Sequence, residues 1–311
     1  MEIQGLLEGL RQGELRALAK LISLVEDRLP GYRTLIDEVY PHAEQAYHLG
    51  ITGPPGVGKS TLVDRLIPLY REEGKRVGVL ACDPTSPFSG GALLGDRIRM
   101  QGLRDDEGVF IRSLATRGSL GGLAKVIPEA ALLLEAAGYE LIVFETIGVG
   151  QAEIDIVEAA DSVVVVLTPQ SGDAIQALKA GLMEIADVFV VNKADQAEAE
   201  RAVQTLQLAL QPLEEVAWAP PVLKTVASRG EGIAELKAEI DRHRKFLGEE
   251  GLRGRRSARL RALIQRAVEE ELSRELWDER GERLLAEQIE RVLQGESGPF
   301  SAAEEILRKL K

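Results

Sequence analysis

Eight residues, Gly53-Pro54-Pro55-Gly56-Val57-Gly58-Lys59-Ser60, follow the spacing G-x-x-x-x-G-K-[ST]. Glycines so spaced let backbone N–H groups curl round a phosphate, the helix start that follows adds positive potential, and the lysine reaches the β and γ phosphates. Gly53, Pro55, Gly56, Val57, Gly58, Lys59, Ser60 and Thr61 are therefore the expected phosphate cradle, with the Ser60 hydroxyl directed to Mg2+. Farther on, Asn192-Lys193-Ala194-Asp195 follows a short apolar run at a strand end, where α/β folds bind ligands. A carboxylate at Asp195 can accept both N1–H and N2–H2 of guanine, whereas adenine would set a lone pair against it. Asn192 is expected on the base edge, and the stem of Lys193 over the base face. Ala227-Ser228 falls where guanine O6 meets a backbone N–H.

Acidic residues supply the rest of the chemistry. Glu145 ends the run Leu141 to Phe144, where a Walker-B acid stands near Mg2+, and Gly148 three residues later is placed to donate its N–H to the γ phosphate. Asp is the commoner acid at that position. Asp83, at the end of Val77 to Cys82, and Asp96, in the loop beyond it, are the further Mg2+ candidates. Val149 follows Gly148, so the usual water-positioning glutamine is missing; Gln151 comes later. Arg112 and Arg117 are candidates for an arginine finger, or for structural ion pairs. Without a placed glutamine or arginine, unassisted hydrolysis is expected to be slow.

Short apolar runs alternating with helical stretches must position these residues. The runs are His48 to Thr52, Val77 to Cys82, Leu141 to Glu145, Ser162 to Leu167, Val188 to Val191 and Val222 to Val226. The alternation predicts an α/β fold with a mostly parallel sheet flanked by helices, and Val163-Val164-Val165-Val166, lacking polar alternation, predicts a strand buried on both faces. Before residue 47, Leu6, Leu7, Leu10, Leu15, Leu18, Leu21, Ile22 and Val25 recur at helical spacing; after Gly232, Ile233, Leu236 and Ile240, then Leu260, Leu263, Ile264, Ala267, Val268, Leu272 and Leu276, do the same. Ser301 and Glu304 form a capping box ahead of a last short helix. The expected organisation is a helical N-terminal arm (1–46), a nucleotide-binding domain (47–248) and a helical C-terminal arm (249–311).

Composition limits the alternatives. A chain of 311 residues, 45% hydrophobic, buries a substantial core. The net charge of −12 argues against nucleic acid and anionic lipid as partners. The apolar runs are too short to span a bilayer, and the start Met1-Glu2-Ile3 lacks a targeting pattern, so a cytoplasmic protein is expected. One cysteine, Cys82, and three scattered histidines point to oxygen ligands for any metal. The apolar stripe of the C-terminal segment, extended by Leu284, Leu285, Ile289 and Val292, predicts a homodimer.

Together, GITGPPGVGKST (50–61), CDPTSPFSGGALLGDRIRM (82–100), FIRSLATRGSLGGL (110–123), FETIGVGQAE (144–153) and NKAD (192–195) resemble the MeaB/ArgK GTPases, chaperones of adenosylcobalamin-dependent methylmalonyl-CoA mutase within the SIMIBI class of P-loop GTPases. The resemblance covers nearly the whole chain. It implies GTP and GDP as ligands and Mg2+ contacts from Ser60, Asp83, Asp96 and Glu145. It also implies mobile switches around residues 83 to 100 and 145 to 155, a third switch with Lys179 in the stretch Gln170 to Leu182, and dimerisation through the C-terminal arm. The implied catalytic set is Lys59, Glu145, Asp83 and Lys179. The implied task is to gate cofactor delivery to the mutase, or to a close relative of it, and to protect that enzyme, with GTP as timing signal. Thr225-Val226-Ala227-Ser228 departs from the Ser-Ala pair more usual there. Two alternatives are a kinase of a transport-binding protein, a role once attached to this family, and a metal-insertion GTPase, which would require clustered Cys and His.

Overall fold

The structure is a computed structural model describing residues 3–43, 45–83, 101–103, 105–115, 126–146, 152–169, 181–210 and 217–310. Seven strands, β1 (Tyr47–Thr52), β2 (Val77–Asp83), β3 (Val109–Ala115), β4 (Leu141–Glu145), β5 (Ser162–Leu167), β6 (Val188–Val191) and β7 (Val222–Lys224), form one sheet in the order β3-β2-β4-β1-β5-β6-β7. Every pairing is parallel, which bears out the expected α/β class. All seven carboxyl ends consequently lie along one edge, the usual ligand edge of such sheets.

Side chains alternate between two cores. Val163, Val165 and Leu167 of β5 join one cluster and Val164 and Val166 the other, which is why the strand reads as an unbroken apolar run. The first cluster packs the sheet under α1 (Ile3–Arg11), α2 (Leu15–Glu26), α3 (Tyr32–Val39), α5 (Ile127–Ala136) and α8 (Ala199–Leu210). The second lies under α4 (Lys59–Glu72) and the first part of α9 (Ile233–Leu276), whose helical path is broken at Gly248. Two short helices, α6 (Ala152–Ala159) and α7 (Leu182–Ile185), add Ile156 and Leu182 to the first cluster. The N-terminal helices thus share a core with the sheet.

By compactness the chain divides into Met1–Arg256 and Ser257–Lys311. The division falls eight residues past the expected boundary at 248. Arg255 still lies 3.9 Å from Asp187, and Arg256 3.9 Å from Glu135. The second unit holds the rest of α9, then α10 (Glu279–Leu293) and α11 (Pro299–Leu310). The last helix starts at Pro299 and not at a Ser301 cap, because proline's fixed φ suits a first helical turn. No helix among the described residues is long and apolar enough to cross a membrane.

Strand β3 is absent from the expected set. It is an edge strand whose central residues Ile111, Arg112 and Ser113 are half-exposed, so its apolar run is interrupted. At the other edge β7 ends at Lys224, and Val226 turns to bridge Glu231.

The amino-terminal edge of the sheet is closed by a buried polar chain. Tyr47 Oη bonds Ser162 Oγ, which bonds His243 Nδ1 of α9; His243 Nε2 lies 3.2 Å from Asp187 Oδ1. The other Asp187 oxygen accepts the Val163 N–H at 2.8 Å. Burial lowers the His243 pKa to about 4, with Arg255 acting in the same direction, and burial raises that of Asp187 to about 6. His243 therefore opposes folding increasingly as pH falls through the unfolded value of 6.5, since the unfolded imidazole takes the proton first. Asp187 opposes folding increasingly as pH rises from its unfolded 3.8 through about 6. Asp187→Asn should remove the second slope alone. Urea unfolding across a pH series should show the variant gaining roughly 1–3 kcal/mol on the parent between pH ~4 and ~7. A difference independent of pH would contradict this account.

Candidate functional site

The chain leaves β1 at Gly53, whose φ is 137° and where a Cβ would meet the Val166 carbonyl oxygen of β5 at 2.0 Å. The loop therefore starts flush against the sheet. Gly58 has φ 97°, and a Cβ there would stand 2.5 Å from Asn192 Nδ2. Helix α4 begins at the next residue and points its amino end into the loop. The Lys59 ammonium arches back over the loop and donates to the Gly53 and Pro54 carbonyls at 2.7 and 3.0 Å. That path holds it over the concavity that N–H groups and helix dipole make attractive to anions.

Ser60 Oγ donates to Glu145 Oε1 at 2.6 Å, and both side chains are buried. The two meet because β4 lies beside β1, with Ile51 opposite Glu145. On the far side of β4, Ala81 of β2 is opposite Glu145, so buried Asp83 ends its strand two residues farther along the same edge. Beside them Thr52 and Thr146 hydroxyls bond at 2.9 Å. A hydroxyl and a carboxylate in direct contact, with a second carboxylate on the neighbouring strand, are hard oxygen donors of the kind Mg2+ takes alongside phosphate oxygens and waters. These residues fit that ion. Among the described residues no three His, Cys, Asp or Glu side chains gather as an all-protein metal site.

Asp96, Arg117, Gly148, Gln151 and Lys179 lie outside the described residues. Arg112 resolves as a structural pair: its guanidinium bonds Glu26 Oε2 at 2.8 Å and Ser23 Oγ at 3.0 Å, tying β3 to α2.

The residues expected at the base converge on a cavity of about 250 Å³. Gly58 and Thr61 line it from the phosphate loop; Asn192, Lys193, Asp195 and Gln196 from the end of β6; Val226, Ala227 and Ser228 from the end of β7. Lys193 is left-handed at φ 57°, unusual for a side-chain-bearing residue, and its ammonium donates to the Gly56 carbonyl at 2.8 Å. Its stem therefore runs along the cavity toward the phosphate loop, in keeping with a cover for the base face.

Two of the residues expected at the base are also tied into the scaffold. Asn192, expected on the base edge, is 3% exposed and its amide is engaged in the scaffold. Nδ2 donates to the Val57 carbonyl at 2.8 Å, while Oδ1 accepts from Thr225 Oγ1 and the Ala227 N–H, both at 3.0 Å. One donor and the acceptor tie three segments together, and the same side chain lines the cavity. The Ala227 N–H is engaged by that bond, and Ser228, the other residue of the pair, lines the cavity beside it. Gln196 was not singled out by sequence; only its nearness to Asn192-Lys193-Ala194-Asp195 signals it.

A family profile described as "Methylmalonyl Co-A mutase-associated GTPase MeaB" matches residues 18–281. The chain belongs to the MeaB family. A putative GTPase of Pyrococcus abyssi is 49% identical, with 99% of this chain and 97% of that protein aligned. The mitochondrial methylmalonic aciduria type A homolog of Caenorhabditis elegans is 33% identical, over 98% of this chain and 82% of that one. Among solved structures, the crystal structure of a LAO/AO transport system kinase superposes with TM-score 0.73 at 28% identity, covering 99% of this chain and 97% of that one. This MeaB-family protein is accordingly a guanine-nucleotide-binding GTP hydrolase.

Gly58→Ala should test how the two halves of the site meet. The methyl would force both a left-handed alanine and a displacement of Asn192. GDP affinity should fall at least tenfold, while melting drops by only a few degrees; GDP binding like that of the parent would show that Gly58 is not needed for this contact.

Proposed function

We propose that this protein is a cytoplasmic, Mg2+-dependent, homodimeric GTPase that gates adenosylcobalamin delivery to methylmalonyl-CoA mutase, or to a closely related acyl-CoA mutase, and protects that enzyme. The observation that carries the nucleotide part is the cavity shared by Gly58, Asp195 and Ser228 at the end of the phosphate loop. Asp195 accepts from guanine N1–H and N2–H2, Ser228 serves O6, and Lys59 neutralises the β and γ phosphates. Ser60, Glu145 and Asp83, with Asp96, would hold Mg2+, which supplies charge neutralisation at the phosphates. Gly148 would donate to the γ phosphate, and Lys179 would act from a third switch.

The mutase part is supported by the family's description, which names association with that enzyme, and by the name of the nematode relative. The dimer is supported by apolar surface in the second unit: Ile264, Val268 and Leu272 are exposed, and α10 and α11 enclose an apolar hollow of about 430 Å³. Slow turnover until a partner completes the site follows from the Val149 that replaces a water-positioning glutamine. A second reading, protein kinase, is favoured by the name of the solved neighbour, a transport system kinase. The fate of the γ phosphate separates the two, free phosphate for a GTPase and phosphoprotein for a kinase.

Lys59→Ala should weaken GTP binding a hundredfold or more in a titration. Asp195→Asn should lower GDP affinity and raise that for xanthosine diphosphate, whose 2-oxo group accepts from the amide. Adding the physiological mutase should raise phosphate release several-fold, and GDP against a non-hydrolysable GTP analogue should change adenosylcobalamin transfer, because binding couplings are reciprocal. No change in either assay would leave the GTPase standing and end the chaperone reading. Val268→Glu with Leu272→Glu in the full chain should give a monomer by light scattering.

A further inference from the structure

A cation stands beside the carboxylate that reads the base. Arg229 closes the short helical turn Ala227–Arg229 that lines the cavity, and its Nη2 lies 3.9 Å from Asp195 Oδ2. Its Nε is held at 2.9 Å by Glu231 Oε1.

The loop carrying Arg229 and Glu231 is closed by its own backbone bonds. Val226 and Glu231 exchange backbone bonds at 3.0 and 3.3 Å. Gly230 and Gly232 take φ of 75° and 77°, and a Cβ on Gly232 would meet the Lys224 carbonyl oxygen at 2.2 Å. Arg65 Nη2 reaches the Ser228 carbonyl at 3.3 Å and fixes the turn to α4. The guanidinium is thus presented to Asp195 by a closed loop on a neighbouring strand end, a link that sequence distance hides.

We propose that Arg229 is a positioning residue for guanine recognition, holding the Asp195 carboxylate oriented for N1–H and N2–H2 and becoming effective when the base fills the cavity. In water the pair is weak, since the two side chains are 53% and 46% exposed. A base entering the 250 Å³ space displaces the water that screens them, and Coulomb attraction at fixed separation grows as the effective dielectric falls. A carboxylate offers about four acceptor positions, so Oδ2 can receive the guanidinium and a guanine donor together. Glu231 keeps Arg229 from swinging fully onto Asp195 and blocking the base. The inference rests on the reading of Asp195 as the base acceptor.

The test is a titration of the full-length protein with GDP and with inosine diphosphate, which lacks the 2-amino group. Arg229→Ala should weaken GDP by roughly three- to tenfold and shrink the preference for GDP over inosine diphosphate by a similar factor. Arg229→Lys should recover part of both, and melting temperature should stay within a degree or two of the parent. In an Asp195→Ala background the same Arg229→Ala change should alter GDP affinity by less than about twofold. An unchanged preference in Arg229→Ala, or an equal loss in the Asp195→Ala background, would overturn the proposal. Parental GDP binding by Asp195→Ala would remove the base-recognition reading and this inference together, whereas loss in Asp195→Ala without loss in Arg229→Ala removes this inference alone.

Discussion

The Asn192 side-chain amide is the point on which the site depends. A buried amide must find partners, and this one gives a donor to Val57 and accepts from Thr225 and Ala227. Each bond comes from a different segment: the phosphate loop, the end of β7 and the turn after it. One planar group therefore sets the distance between phosphate cradle and base cavity, the dimension a nucleotide must match. Loss of any bond would strand a buried polar group, at a cost of ~1–3 kcal/mol. The contact is possible only because Gly58 has no side chain where Asn192 approaches.

The all-parallel sheet brings the three segments within reach of one amide. Thr52, Asp83, Glu145 and Asn192 lie far apart in the chain, yet each ends or directly follows a parallel strand, so all face the same edge. The two edges are used differently. The carboxyl edge carries glycines, the left-handed Lys193 and charged side chains, features that cost stability and suit a ligand. The amino edge is sealed by the Tyr47, Ser162, His243 and Asp187 chain, which fastens the first part of α9 to the sheet.

This arrangement accounts for a nucleotide-binding edge on the first unit. Lys59, Ser60, Asp83, Glu145, Asn192 and Asp195 all lie on strand ends, at a helix start or in the turns that directly follow a strand. In the second unit, α10 and α11 carry exposed apolar side chains, among them Leu293, Phe300 and Leu307.

Much of this was legible from sequence because the signals are local. The phosphate loop is a continuous run whose glycines are needed for backbone conformation, and Asn192-Lys193-Ala194-Asp195 follows its strand directly. Val163 to Val166 announces a strand buried on both faces through composition alone. Edge strand β3 was hidden because half-exposed positions admit Arg112 and Ser113, which interrupt the apolar run. What only the tertiary structure decided was the partner of each polar group. That Asn192 also joins Val57, 135 positions away, to Ala227, 35 away, is visible only in the folded chain. His243 reads as an isolated residue until Ser162 is found 81 positions away. Periodicity and motif spacing report on neighbours along the chain, whereas burial and hydrogen-bond pairing are settled by which elements the sheet order brings side by side.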